Sequence, residues 1–138
     1  MFSQVLKGHK SSVRCLTIWN NQLCSGSFNS IIRIWSREGK CVKILRGHTY
    51  SVNCLTVWNN QLCSGSWDST IRIWSKEKKC VKVLQDHTES VHCLTVWNDQ
   101  LYSGSADDTI RIWSKDGDCV KVLRDHTGPV HCLAVWND

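Results

Sequence analysis

The chain of 138 residues has no run of 18 apolar residues, a single proline, and no pair of cysteines at C-x-x-C spacing. The missing run excludes a membrane-spanning helix. Met1 to Lys7 lack the apolar stretch of a secretory signal, which argues against export. Without C-x-x-C pairs the usual zinc and dithiol frames are absent, and no metal or cofactor site is expected. Nor does any segment carry a helix pattern. The lone proline, Pro129, stands at the start of a strand-like run, where a missing N–H costs little.

What the chain does have is repetition. Gly47 to Gln85 returns as Asp86 to Arg124 with 28 of 39 positions identical. The same unit runs over 8–46, and a further copy opens at Asp125 and occupies 125–138. A period of this length means small units that cannot bury their own apolar faces and must stack on neighbours. The nine cysteines obey the same period. Cys15, Cys54, Cys93 and Cys132 are one position; Cys41, Cys80 and Cys119 a second; Cys24 and Cys63 a third. An odd total, locked to apolar runs, reads as small structural thiols in a reducing compartment, cytoplasmic or nuclear.

Charge is spread unevenly. Residues 1–69 hold eight Lys/Arg against two Asp/Glu, and residues 70–138 hold nine against ten. Such asymmetry could assist head-to-tail association, or simply reflect lysines that keep sheet edges from pairing.

Within the second unit, Ser51 to Trp58 is rich in β-branched and aromatic residues. Asn59-Asn60 then suits a type I′ hairpin turn, and Gln61 to Ser66 returns antiparallel. Ser69 to Ser75 alternates Ile71 and Ile73 with Arg72 and Trp74, and Cys80 to Gln85 follows a short polar turn. Four short strands per unit, repeated, predict an all-β protein built of four-stranded propeller blades. Arg33, Arg72 and Arg111 recur in register and read as a structural stripe whose stems cover apolar surface. Basic residues near aromatics are confined to Lys10 and Arg14 beside Phe28, which points away from nucleic acid.

The residues resemble the WD40 repeat family over essentially the whole chain. The GH dipeptide stands as Gly8-His9 and Gly47-His48 and changes to Asp86-His87 and Asp125-His126. The WD tryptophan stands as Trp35, Trp74 and Trp113, each followed by serine instead of aspartate. The resemblance implies three complete blades plus a half blade per chain, an incomplete ring. Phe2 to Lys7 would be an outer strand and Pro129 to Trp136 a lone inner strand, fourteen strands in all. Either copies close a ring head to tail, or the chain is a piece of a longer propeller; on both accounts an isolated monomer is expected to be unstable.

The resemblance also implies a buried hydrogen-bond chain in each blade: His9, Ser25, Asn29 and Trp35; His48, Ser64, Asp68 and Trp74; His87, Ser103, Asp107 and Trp113. Asn29 lacks the ionised acceptor, so blade 1 should hold more weakly. A Ser/His/Asp set repeated in every unit and ending on an indole donor is a clasp, not a hydrolase triad. Partner contacts are implied on the loop face, at Ser12, Arg14 and Phe28; Ser51, Asn53 and Trp67; Ser90, His92 and Ala106; and Pro129 and His131. Trp67 is the leading candidate, an indole on a rigid turn. The short loops most resemble the WD40 domains of F-box-type ubiquitin-ligase receptors. Only Arg14 matches the arginines by which some of those read phosphate, since Asn53, His92 and His131 fill the equivalent places. The function expected is a non-enzymatic scaffold for protein or peptide partners; the alternative is a self-assembling unit that completes a ring and has no ligand.

Overall fold

In a computed structural model the described residues are 3–137. They form twelve strands in three antiparallel sheets of four, each in simple up-and-down order. Blade 1 comprises β1 (Val13–Trp19), β2 (Gln22–Ser27), β3 (Ile32–Trp35) and β4 (Cys41–Leu45). Blade 2 comprises β5 (Val52–Trp58), β6 (Gln61–Ser66), β7 (Ile71–Trp74) and β8 (Cys80–Leu84). Blade 3 comprises β9 (Val91–Trp97), β10 (Gln100–Ser105), β11 (Ile110–Trp113) and β12 (Cys119–Leu123).

The first hairpin of each blade closes on two residues with positive φ: Asn20 and Asn21, Asn59 and Asn60, Asn98 and Asp99. Both central residues left-handed is the type I′ geometry, which matches strand twist and which asparagine tolerates. The third strand is shorter than its alternation suggests. Ser69 adopts φ 74°, and the Thr70 amide donates to Asp68 Oδ1 at 2.9 Å, so both belong to the turn and not to β7.

Cores lie between sheets. One buried cluster joins Trp19, Cys24, Ile32 and Ile34 of blade 1 to Val52, Leu62 and Trp74 of blade 2. A second joins Trp58, Cys63, Ile71 and Ile73 to Val91, Leu101 and Trp113 of blade 3. Each junction is closed by the same two devices. The Trp19 indole donates to Asn60 O at 3.0 Å, and Trp58 donates to Asp99 O at 2.9 Å. Gly26 and Gly65 admit the next inner strand: a Cβ on Gly65 would stand 2.6 Å from Cys54 Sγ and 2.7 Å from Val91 Cγ1. No residue but glycine fits there without displacement.

Two expected strands do not form. Residues 3–9 and 129–137 belong to no sheet; Phe2 and Asp138 lie outside the described residues. An inner or outer strand needs a middle strand for its ladder, and none of the twelve strands offers a free partner at those places. Both segments still follow the repeat. Val130 is buried against Gly104 as Val91 is against Gly65, and Gln4 reaches the Gly39 turn as Lys82 reaches the Gly117 turn. Blade 1 shows its outer apolar side, with Leu16 60% and Ile18 61% exposed, whereas Leu55 and Val57 are half-buried under blade 1.

Candidate functional site

Each blade carries two loops at the same end, and backbone bonds tie them together. Phe28 N–H donates to Ser12 O at 2.8 Å, Trp67 N–H to Ser51 O at 2.9 Å, and Ala106 N–H to Ser90 O at 2.9 Å. Beneath these loops lie the clasps. In blade 2 the Trp74 indole donates to Ser64 Oγ (2.9 Å), Ser64 meets His48 Nε2 (2.7 Å), and His48 Nδ1 meets Asp68 Oδ2 (2.8 Å). An indole only donates and a carboxylate only accepts, so the chain has one consistent direction: Ser64 donates to Nε2, and Nδ1–H donates to Asp68. Asp68 also accepts from Thr49 N–H (3.1 Å), Thr70 N–H (2.9 Å) and Thr70 O–H (2.6 Å). Blade 3 repeats this with Trp113 to Ser103 (2.8 Å), Ser103 to His87 (2.7 Å) and His87 to Asp107 (2.7 Å).

Burial acts against the charged forms, and hydrogen bonds decide the balance. It would raise the Asp107 carboxyl, but donation from Thr109 and His87 outweighs it and holds the group at about 2. Asp68 is held well below the ordinary carboxylate range against the same burial, by His48 and Thr70. Burial lowers His87, only partly opposed by Asp107, so the neutral imidazole required by the chain is favoured. Ser64 and Ser103 are fully buried, and each hydroxyl serves an indole and an imidazole. Such a hydroxyl has no path to a substrate.

Blade 1 departs from this arrangement. His9 meets Ser25, and Trp35 donates to Ser25 at 2.9 Å, but Asn29 bonds Ser27 instead of His9. His9 Nδ1 is buried without a partner. Asn29 therefore does not join the chain assigned to it by spacing. Its carboxamide lacks the second acceptor oxygen that lets Asp68 serve His48 and Thr70 together, and Ile31 replaces the Thr70 hydroxyl.

The implied contact residues fall into two groups. Arg14, Phe28 and Trp67 come together: Phe28 and Trp67 pack edge to face with centroids 5.6 Å apart across the boundary of blades 1 and 2. The Arg14 guanidinium lies 5.8 Å from the Phe28 ring centroid. Phe28 is 46% and Trp67 42% exposed, and Ser12 is exposed beside them. Further round, His92 and His131 face each other at 4.8 Å, next to half-buried Ser90 and Ala106 and exposed Pro129. Burial and the neighbouring His131 lower His92. Ser51 is a correction. It is 2% exposed and its hydroxyl meets Asn53 Oδ1, while the Asn53 amide donates to Val91 O at 3.0 Å. Ser51 is thus enclosed where its blade 1 equivalent, Ser12, is exposed, and Asn53 is half-buried.

A feature not visible in sequence explains how the side chains at the Arg14 position reach the face. The β1–β2 register slips between Val13 and Cys15, the β5–β6 register between Val52 and Cys54, and β9–β10 at the same place. Arg14, Asn53 and His92 are thus the extra residues of three equivalent β-bulges, which turn a strand side chain toward the loop end. The recurrent V-x-C opening was the available signal, but register lies between strands and not within one.

The remaining polar stripe is structural. Arg33, Arg72 and Arg111 donate to Cys41, Cys80 and Cys119 Sγ at 3.3, 3.4 and 3.4 Å. All nine cysteines are free, and burial pushes Cys15 and Cys63 up to about 12 and Cys24 and Cys93 to about 11. Among the described residues no group of three or more His, Cys, Asp or Glu could hold a metal.

Four-stranded sheets stacked side by side, with first strands innermost and cores between sheets, are blades of a β-propeller. The chain belongs to the WD40 family: the WD domain, G-beta repeat, matches at residues 2–36, 39–75 and 78–114. Among solved structures it is similar to one described as the structure of U3-55K, with TM-score 0.87 and 26% identity over 94% of this chain and 44% of that one. It is likewise similar to the crystal structure of RRP9 WD40 repeats, with TM-score 0.88 and 26% identity over 94% of this chain and 43% of that one. The chain thus spans less than half the length of either. No curated protein matches it significantly.

Proposed function

We propose that the chain is a non-enzymatic interaction scaffold whose loop face binds protein or peptide partners in a cytoplasmic or nuclear setting. WD40 repeats in general mediate protein–protein interaction, and among the described residues no helix is long and apolar enough to cross a membrane. The observation that carries the reading is the exposed Arg14–Phe28–Trp67 cluster, held on a strand bulge and two tight turns that cost little entropy to engage. The Ser–His–Asp sets serve as fasteners, since their serines are sealed. The test is a pull-down with the wild-type chain and a Trp67→Ala/Arg14→Ala variant, with sedimentation run in parallel. The variant should lose a specific partner and keep its assembly state. Equal recovery of every partner would defeat the proposal.

A second reading is favoured by the bare outer side of blade 1. Leu16 and Ile18 present an apolar stripe equivalent to one that is covered at the next junction. On this reading the segment completes a ring by head-to-tail stacking. Concentration-dependent sedimentation that is abolished by Leu16→Glu and untouched by Trp67→Ala would support it; a concentration-independent monomer would exclude it.

A further inference from the structure

The loop face is chemically lopsided, and this defines the kind of peptide it fits. Residues 1–69 contain only two acids, Glu38 and Asp68. Asp68 is committed to His48 and Thr70, and Glu38 lies in the turn after β3, at the opposite end of the blade from Phe28. Among the described residues no carboxylate pairs with Arg14, and Lys10 is exposed in the loop that leads into β1. Glu77, the remaining acid of blade 2, lies in the turn after β7 at that same opposite end, so the face of blades 1 and 2 offers cations and an aromatic pair with no uncommitted carboxylate. Blade 3 is the reverse: exposed Glu89 replaces the Tyr50 position, and Asp108 follows the clasp aspartate.

We propose that this face takes an extended peptide carrying an apolar or aromatic side chain beside an acidic residue. The apolar side chain lies on the Phe28–Trp67 pair, the acidic group meets Arg14, and the chain runs toward blade 3, where Glu89 and Asp108 favour a basic residue. The proposal rests on the scaffold reading and specifies its partner. An apolar anchor gains from burial on two aromatic rings, while the carboxylate sets register and direction. A nucleic acid fits less well, because a strand continuing past Trp67 would bring its phosphates over Glu89 and Asp108.

The experiment is selection of a random displayed-peptide library on the full chain, followed by binding of the enriched peptides, fluorescein-labelled, to variants. Enrichment of acid-plus-apolar peptides is expected. Trp67→Ala and Phe28→Ala should each weaken them by about tenfold or more, and Arg14→Glu should do the same and reverse the charge preference. Glu38→Gln, on the opposite end, should change nothing. Binding should weaken as salt rises. Near-UV circular dichroism on each variant separates a lost contact from a lost fold. Peptides that need Trp67 but show no acidic bias would overturn this inference and leave the scaffold reading standing. Enrichment indifferent to all three face variants, or none at all, would overturn both. Displacement of the bound peptide by an oligouridine RNA would replace the peptide with a nucleic acid.

Discussion

Replacing Asp68 by Asn conserves shape and removes one acceptor oxygen, so it isolates the charge in the blade 2 clasp. Asp68 Oδ1 serves Thr70 twice and Oδ2 serves His48 and Thr49. A carboxamide can keep the Thr70 pair, but its NH₂ must then face two donors. Each bond to an ionised acceptor contributes roughly 1.5–3 kcal/mol. The Thr49 amide lies at the exposed edge, where water replaces much of its loss; the His48 side chain is 1% exposed, so its Nδ1–H has no such recourse. The expected cost is about 2–4 kcal/mol. With a urea slope of about 1–3 kcal/mol per molar, the midpoint should fall by roughly 1 M or more at unchanged slope. Blade 1 supplies the converse. Asn29→Asp offers His9 Nδ1, buried and unpartnered, the acceptor it lacks, and should stabilise by about 1 kcal/mol. Equilibrium urea unfolding followed by tryptophan fluorescence reads both. If Asp68→Asn shifts stability by less than about 0.5 kcal/mol, or Asn29→Asp destabilises as Asp68→Asn does, the clasp is not what holds a blade to its loops.

Other consequences are equally direct. Gly65→Ala puts a Cβ against Cys54 Sγ and Val91 Cγ1 and should cost about 1–3 kcal/mol in the same unfolding assay, whereas Gly128→Ala, with open space around it, should be near neutral. Acid should act in two stages. His9, His87 and His92 are depressed in the folded chain, so their contribution is complete above the unfolded value near 6.5 and declines as pH falls below it. Asp107 and Asp68 are also depressed, so theirs is lost only below about pH 4, toward the folded Asp107 value of about 2; a melting temperature flat from pH 7 to 3 would contradict both stages. In native protein a small thiol reagent should modify exposed Cys132 first, and reach Cys24, Cys63 and Cys93 only on unfolding; rapid native labelling of Cys63 would show that the junctions are not closed.

Much of the fold was legible because its determinants are local and repeated. Asn59-Asn60 names its turn, and alternation about Ile71 and Ile73 names a strand. The misplaced boundary at Ser69 and Thr70 came from a side chain: the Asp68 carboxylate captures the Thr70 amide before the ladder can. The two expected terminal strands failed for a similar reason, since strand propensity does not supply a ladder partner. The candidate site was legible only as positions. Spacing could nominate Ser51 beside Trp67, but the folded chain buries the one and leaves the other open, while Ser12, the blade 1 equivalent of Ser51, is exposed; burial at this repeat position depends on neighbouring blades and not on spacing. The bulges at Arg14, Asn53 and His92 are a property of paired strands and have no expression in either strand alone.

The comparison of copies then separates two kinds of residue by physics. Positions that meet a neighbour in the repeat cannot vary alone: Gly26, Gly65 and Gly104 each face a valine, and Trp35, Trp74 and Trp113 each reach a serine. Positions at the bulge and turn meet neighbours that themselves change, and they differ in every blade, as Arg14 with Phe28, Asn53 with Trp67, and His92 with Ala106. Drift alone would vary the two positions of a blade independently. In blade 1 they are a cation and the ring it caps, and that ring packs on the turn residue of blade 2. Contact between variable residues across a blade boundary is what the proposed binding surface is built on, and the Trp67→Ala/Arg14→Ala pull-down is its test.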